Sequence, residues 1–308
     1  MKAALNRPSF FYFCEDNSVK NDAKSKRIPF YKYHGLGNDF AVFRGRDLEA
    51  GQAGQGVDFR ALAQSLCERH RGIGADGLLI IWLPEDGGEY AELAANSARM
   101  RIYNRDGSRP EMCGNGVRCV VRYLVENKGF SAGALQVISD AGPRACRVTE
   151  RTDSGVWQVE VDMGEAKIAP ENIDLNEANR AFSLVGVNMG NPHAVAFERD
   201  VEDVELLERL GRKLNAAHPD FLGGVNLEFV EQIGPQHLRT SVFERGVGRT
   251  QACGTGACAV AVAAVHAGRC DPELPVRVEL PGGALSIKLD DGRVWMTGPV
   301  EAVFEGRI

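Results

Sequence analysis

Short alternations of apolar and polar residues, separated by glycine-rich turns, run from Ile28 to the end of the chain. Phe30–Tyr33, Ala41–Phe43, Met100–Asn104, Leu135–Val137 and Trp157–Val161 have the pattern of strands, as does the short apolar run Leu78–Ile81. Phe182–Val187 and Ala194–Phe197 continue the series in the second half. Asp58 is placed to cap a helix in which Phe59, Leu62, Ala63 and Leu66 fall at helical spacing, and Val204–Asn215 reads as an acidic amphipathic helix. Two further helices, Val120–Glu126 and Ala259–His266, each follow a Cys-Gly-x-Gly sequence. The second runs without glycine or proline as far as Gly268, as a buried helix does.

The order of elements repeats. Each half contributes strands, one amphipathic helix and a final Cys-Gly-x-Gly loop opening a buried helix, with the crossover at Met163-Gly164. This predicts an α+β protein of two similar, pseudo-symmetric domains that face each other, residues 28–162 and 163–297. Residues 1–27 are polar and mixed in charge, and are expected to form a solvated, disordered N-terminal extension. A chain of 308 residues gives each domain length enough for its own core.

Composition narrows the class of function. A net charge of −6 argues against nucleic acid as the main partner, and no apolar run approaches the ~18–20 residues of a membrane span. The only apolar cluster near the start, Phe10–Phe13, is too short and too aromatic for an export signal, so a cytoplasmic protein is expected. The eight cysteines (14, 67, 113, 119, 146, 253, 258 and 270) then read as free thiols. Zinc is not expected, because no Cys-x-x-Cys pair occurs and the six histidines are scattered. Cys14, Cys67, Cys146 and Cys270 fit small buried packing residues, and Cys119 and Cys258 point away from their helix entrances.

Cys113 and Cys253 are different. Glycines at 114 and 116, and at 254 and 256, let the backbone turn sharply and leave its N–H groups uncovered at a helix start. The positive end of each helix then favours the thiolate. One such sequence alone is equally a helix start with a packed thiol, and the Lys-Ser/Thr of a phosphate-binding loop is missing. Two matched copies in facing domains predict a site where two helix N-termini offer N–H donors to one anion. A substrate carboxylate held there would have its α-carbon flanked by both sulfurs. One thiolate removes the α-proton and the opposite thiol returns one to the far side, inverting the carbon without cofactor or metal. The same donors hold the charge that develops on the carboxylate.

The stretches His34–Phe40, Cys113–Cys119, Met189-Gly190-Asn191-Pro192-His193 and Glu244–Ala259 closely resemble the diaminopimelate epimerase family, in order and from about residue 28 to the C-terminus. The resemblance implies a pyridoxal-independent epimerase, needing no cofactor, that interconverts LL- and meso-diaminopimelate for lysine and peptidoglycan-precursor synthesis, and it implies a homodimer. It implies two domains, each a β-structure wrapped around a central helix, with the active site in the cleft between them. The closing strand, here 298–308, returns to the first domain. Carried over residue by residue, Cys113 and Cys253 are the acid/base pair, and Gly114, Asn115, Gly254 and Thr255 cradle the reacting carboxylate. Asn104, Asn191, Asn226, Glu244 and Arg245 read the distal centre, Asn38 closes the near side, and His193 and Glu244 position or polarise the thiols. The chain departs from some relatives at Gly77, where a substrate-contacting Gln occurs, and at Arg249, where an acidic residue occurs.

Taken singly, these residues have plainer readings, since Asn38, Asn115 and Asn191 sit in glycine turns that tolerate Asn for backbone reasons and Arg245 would pass as a surface charge. Three other functions share parts of the pattern. A proline racemase or hydroxyproline epimerase has the two-thiol logic but no second amino-acid head for Arg245 and the asparagines. A non-catalytic binding relative would lack the thiols. A thiol-redox protein would use Cys113 and Cys253 as a disulfide pair.

Overall fold

The computed structural model describes residues 27–50, 56–177, 180–198 and 200–308. Apart from Arg27, the extension expected over residues 1–27 lies outside the described residues, as does Cys14. The first half runs β1 (Pro29–Gly35), β2 (Asn38–Arg44), α1 (Gly45–Glu49), α2 (Phe59–Leu66), β3 (Gly77–Trp82), β4 (Ser97–Asn104), α3 (Gly114–Lys128), β5 (Leu135–Ser139), β6 (Gly142–Arg151) and β7 (Trp157–Glu165). The second runs β8 (Lys167–Ile168), β9 (Ile173–Glu177), β10 (Arg180–Asn188), β11 (Pro192–Phe197), α4 (Val204–Ala217), β12 (Asn226–Gly234) and β13 (His237–Glu244). It continues with β14 (Gly248–Arg249), α5 (Gly254–His266), β15 (Val276–Leu280), β16 (Gly283–Asp290) and β17 (Arg293–Arg307). Every strand expected from the alternation is present. The alternation does not reveal β6, β8, β9 or any of β12 to β16.

Strand pairing makes the repeat explicit. From β1 to β7 the successive pairs are antiparallel, parallel, antiparallel, parallel, antiparallel and antiparallel. The series β10, β11, β12, β13, β15, β16, β17 has the same order of hands. A parallel step requires a crossover, and each half has two. The first carries the outer helices (α1 and α2, or α4) and the second carries the central helix (α3 or α5).

Each half therefore buries its sheet on both faces. In β3, Leu79 and Ile81 pack with Val117, Val120, Val121 and Leu124 of α3. The alternate residues Leu78, Ile80 and Trp82 pack with Ala63 on the α2 side. In the second half, Leu227 and Phe229 of β12 meet Leu206, Leu207, Leu210 and Leu214 of α4. Val230 turns towards the cluster that surrounds α5. From Ala257 to Ala264 no residue of α5 is more than 2% exposed, so this helix is enclosed all round, as its uniformly apolar sequence predicts.

Local signals set the ends of the elements. Asp58 accepts from the N–H groups of Arg60 and Ala61 and caps α2, as its position predicts. The β1–β2 connection places Leu36 and Gly37 at φ 57° and 79°, the left-handed pair of a two-residue hairpin turn. β17 joins the halves: residues 293–297 pair with β16, 293–300 with β7 and 301–307 with β1.

Gly77, opposite Asn104 in the β3–β4 pair, has no room for a side chain, because a Cβ would lie 2.7 Å from the Tyr103 carbonyl oxygen. Gly77→Ala should cost about 1–3 kcal/mol of stability, as overpacking against a fixed backbone does. Chemical denaturation measures it, and an unchanged midpoint would mean that β3 and β4 separate freely at this position.

Candidate active site

The site begins with two glycines. Cys113 is the N-cap of α3 and Cys253 that of α5, and both have extended backbone conformations from which the chain turns into a helix at the next residue. A Cβ on Gly114 would lie 2.8 Å from the Met296 methyl carbon, and one on Gly254 would lie 3.1 Å from the Met296 sulfur and 3.8 Å from the Gly114 Cα. The two helix N-termini thus approach each other beside Met296 of β17. Two residues beyond Gly254, Gly256 donates its N–H to the Cys253 sulfur at 3.3 Å.

The neighbours of the two sulfurs differ. On the first-half side, Asn38 Oδ1 lies 3.9 Å from the Cys113 sulfur and accepts from Asn115 Nδ2 at 3.2 Å. The amide of Asn38 is oriented from behind by Asp76, whose carboxylate accepts from Asn38 Nδ2 at 3.1 Å. Arg69 braces both Asp39 and Asp76, and Lys32 pairs with Asp39 at 2.8 Å. The Asn115 Oδ1 accepts from Arg118 at 2.8 Å.

On the second-half side, Thr255 Oγ1 lies 3.6 Å from the Cys253 sulfur and accepts from Asn191 Nδ2 at 3.4 Å. Asn191 Oδ1 lies 3.1 Å from His193 Nε2, and His193 Nδ1 lies 2.6 Å from Glu228 Oε1, with both of these side chains wholly buried. Glu244 stands beside Cys253 and accepts from Thr250.

The helix starts favour the thiolate, and burial opposes them. Burial pushes the Cys113 thiol up, against the opposing pull of the Gly116 and Asn115 N–H groups and the Arg118 guanidinium, and Glu244 adds to the upward push. Burial pushes Cys253 well up, reinforced by Glu244 and Glu228 and opposed by Thr255 and the Gly256 N–H. Burial also raises the Glu244 carboxyl, while its bonds from Thr250 and Cys253 pull it down. The N–H donors act in the predicted direction, but desolvation outweighs them.

Asn38, Asn115, Asn191, His193, Glu244, Gly254 and Thr255 all fall around the two helix starts. Asn226 is buried, and its Oδ1 accepts the Arg245 N–H at 2.8 Å. The Arg245 side chain is exposed, with Nη1 on the Gly223 carbonyl at 3.0 Å. Asn104 is tied to its own turn, donating to Ser108 Oγ at 2.9 Å, and has no bond to the network around the sulfurs. Three participants were not assigned from the sequence: Asp76, Arg118 and Glu228. Arg118 lies inside a Cys-Gly-x-Gly stretch but gave no sign of being buried. Among the described residues no three His, Cys, Asp or Glu side chains form a metal-binding group, and all seven described cysteines are free.

Comparison with known proteins bears on this arrangement. A family model described as diaminopimelate epimerase matches residues 30–169 and 185–303. A diaminopimelate epimerase of Synechococcus elongatus is 41% identical over 91% of this chain and 97% of its own length. One of Desulfitobacterium hafniense is 42% identical over 89% of this chain and 96% of its own. Among solved structures, a hydroxyproline epimerase from Agrobacterium vitis aligns with a TM-score of 0.67 at 17% identity, covering 92% of this chain and 93% of that one. A Bacillus anthracis phenazine biosynthesis protein of the PhzF family aligns at 0.65 and 14%, covering 92% and 99%. At such identities the two structures share the fold alone, a mixed α+β architecture of two similar domains. The sequence matches are specific and nearly full-length, and with them the paired Cys-Gly-x-Gly helix starts find their place: the chain belongs to the diaminopimelate epimerase family.

Proposed function

We propose that this protein interconverts LL- and meso-2,6-diaminopimelate by proton transfer between Cys113 and Cys253, with no cofactor, in lysine and peptidoglycan-precursor synthesis. The observation that carries the reading is the approach of two helix N-termini through Gly114 and Gly254, each capped by a cysteine. The first N–H groups of a helix have no partner within it. On this reading those of Gly114 and Asn115, and of Gly254 and Thr255, share one carboxylate, leaving the α-carbon between the sulfurs. The ionised sulfur takes the α-proton, and the protonated one delivers its own to the opposite face. The roles reverse for the return reaction.

Asn38 closes the near side of the site, and His193 and Glu244 position the thiols. His193 reaches Cys253 through Asn191 and Thr255, whereas Glu244 acts on both sulfurs. Asn104, Asn191, Asn226, Glu244 and Arg245 read the distal amino-acid head, which a cyclic imino acid lacks. Asn226 supports this by anchoring the Arg245 backbone.

The division into 28–162 with 298–308, and 163–297, is supported by the pairing of β17 with β1 and β7. A homodimer is supported by the outer half of β17: residues 301–307 pair with β1, and Val303, Phe304 and Ile308 are exposed. A cytoplasmic location suits the free cysteines.

The deciding experiment is incubation with LL-diaminopimelate in D₂O, following isomer ratio and deuterium at the α-carbon. Deuterium should enter with inversion. Cys113→Ala or Cys253→Ala should abolish epimerisation in both directions, and near wild-type turnover by either variant refutes the two-base assignment.

Two thiolates facing one small site repel each other, so the pair titrates as a coupled unit. The profile of kcat/KM against pH should be bell-shaped, rising when one sulfur ionises and falling when the second follows. Because burial raises both thiols, the rising limb should lie on the alkaline side for a free thiol. A flat profile across that range is incompatible with the mechanism.

Arg245→Lys keeps the charge and loses the planar fork. It should raise the barrier measured by kcat/KM by about 1–3 kcal/mol. Kinetics indifferent to this change would remove Arg245 from the distal pocket.

A further inference from the structure

Among the described residues no carboxylate pairs with the buried guanidinium of Arg118. Its side chain projects from α3 against β17 and is 0% exposed, with Nη2 on Asn115 Oδ1 at 2.8 Å, Nε on the Pro299 carbonyl at 3.1 Å and Nη1 3.8 Å from the Met296 sulfur. Two glycines leave space for it. A Cβ on Gly35 would lie 2.8 Å from Nη2, and one on Gly298 would lie 3.2 Å from Cζ. The other deeply buried arginines are paired, Arg44 with Asp86 and Arg122 with Glu126. The ionisable groups that act on Arg118 are the thiols of Cys119, Cys113 and Cys258. A guanidinium taken out of water without a counter-ion is costly, and an apolar residue would fill the same space at no such cost.

Of those three thiols only Cys113 lies at the site. Cys119 and Cys258 are enclosed by apolar neighbours, and burial holds both far above the ordinary thiol range. Cys113 stands at the N-terminus of the helix that carries Arg118, faces Asn38, and is pushed up by Glu244 of β13. Glu244 pushes both sulfurs up, but at Cys253 Glu228 adds to it, whereas at Cys113 Arg118 opposes it.

We propose that Arg118 is a positioning residue for the proton transfer at Cys113: its buried charge is the counter-ion for negative charge on that side of the site, and its bond to Asn115 fixes the amide pair that borders the sulfur. The inference rests on the two-thiol reading above. The guanidinium holds Asn115 Oδ1 inward, so that Asn115 Nδ2 donates to Asn38. Asp76 holds the other end of Asn38, which leaves Asn38 Oδ1 facing the sulfur. Two like helix starts thereby acquire unlike charge. Burial raises both thiols, Cys253 the further, so the sulfur that ionises first is Cys113, and Cys253 is kept as the acid.

The test reads charge at sulfur rather than turnover. In a Cys253→Ser background, alkylation of Cys113 by iodoacetamide is followed against pH by peptide mass spectrometry, for Arg118, Arg118→Met and Arg118→Lys. Loss of the cation should move the alkylation midpoint upward by about one unit or more, and lysine should restore most of it. A folded Arg118→Met protein with the parental midpoint overturns the proposal.

A second measurement stands whether or not Arg118→Met folds. Thermal melts at pH 7 compare Cys113→Asp with Cys113→Asn, and Cys253→Asp with Cys253→Asn, each pair differing only by a charge at a helix N-cap. Aspartate should melt at least ~2–4 °C above asparagine at 113, where Arg118 awaits an anion, and below it at 253, where Glu244 and Glu228 repel one. Shifts of the same sign at both positions overturn the proposal. Failure of the epimerase reading would appear separately, as wild-type protein that exchanges no deuterium.

Discussion

The approach of two helix N-termini to van der Waals distance is the constraint on which the rest of this molecule depends. Gly114 and Gly254 face each other beside Met296, and a Cβ on either would press into the methionine. Only glycine at both positions lets the uncovered N–H groups of α3 and α5 reach a common point. The surrounding architecture serves that meeting. Each half wraps its strands around one central helix and covers the outer face of its sheet with another. This double covering holds α3 and α5 with little freedom to shift, since both are packed along most of their length.

Geometry that repeats need not repeat its electrostatics. In backbone terms Cys113 and Cys253 are equivalent: each is an extended N-cap followed by Gly-x-Gly. Their side-chain surroundings are not, for Glu244 acts on both, while Arg118 opposes it at Cys113 and Glu228 reinforces it at Cys253. A site with full two-fold symmetry would give both sulfurs the same proton affinity. Both would then be mostly protonated at low pH or mostly ionised at high pH, with the mixed form favoured only through mutual repulsion. Unlike neighbours favour the mixed form directly, over a wider pH range.

Local signals made the outline of the fold and the core of the site legible. Asp58 announced α2, the glycine-free run after Cys253 announced a buried helix, and the two Cys-Gly-x-Gly stretches announced their shared role. What escaped notice was hidden by double burial. In β12, which the alternation did not reveal, Leu227 and Phe229 face α4, and Glu228 on the opposite face is fully buried against His193. Alternation assigns a solvent face only where a sheet has one, and α4 and α5 cover both. Arg118 was concealed likewise, since an arginine is ordinarily exposed even on a helix that is otherwise read as buried. The side-chain contacts of Asn104 and Arg245, tied to Ser108 and Gly223, depend on loop conformations that neighbouring residues do not dictate.

The last strand explains how two halves so far apart in sequence hold one site together. β17 pairs with β16 of its own half, then with β7 and β1 of the other. It also brings Met296 between the helix starts, and the carbonyls of Pro299 and Val300 accept from the buried arginines 118 and 122 of α3. The second half therefore supplies part of the wall around the first half's helix. Those contacts span nearly the whole chain, and contacts of such sequence separation carry the largest loop-closure cost. Each half can assemble most of its sheet from shorter-range pairings, whereas the meeting of Gly114 and Gly254 beside Met296 requires that β17 be in place. The reactive centre is thus the part of the fold most dependent on the final fifteen-residue strand, and it takes shape only when the two repeats have become one structure.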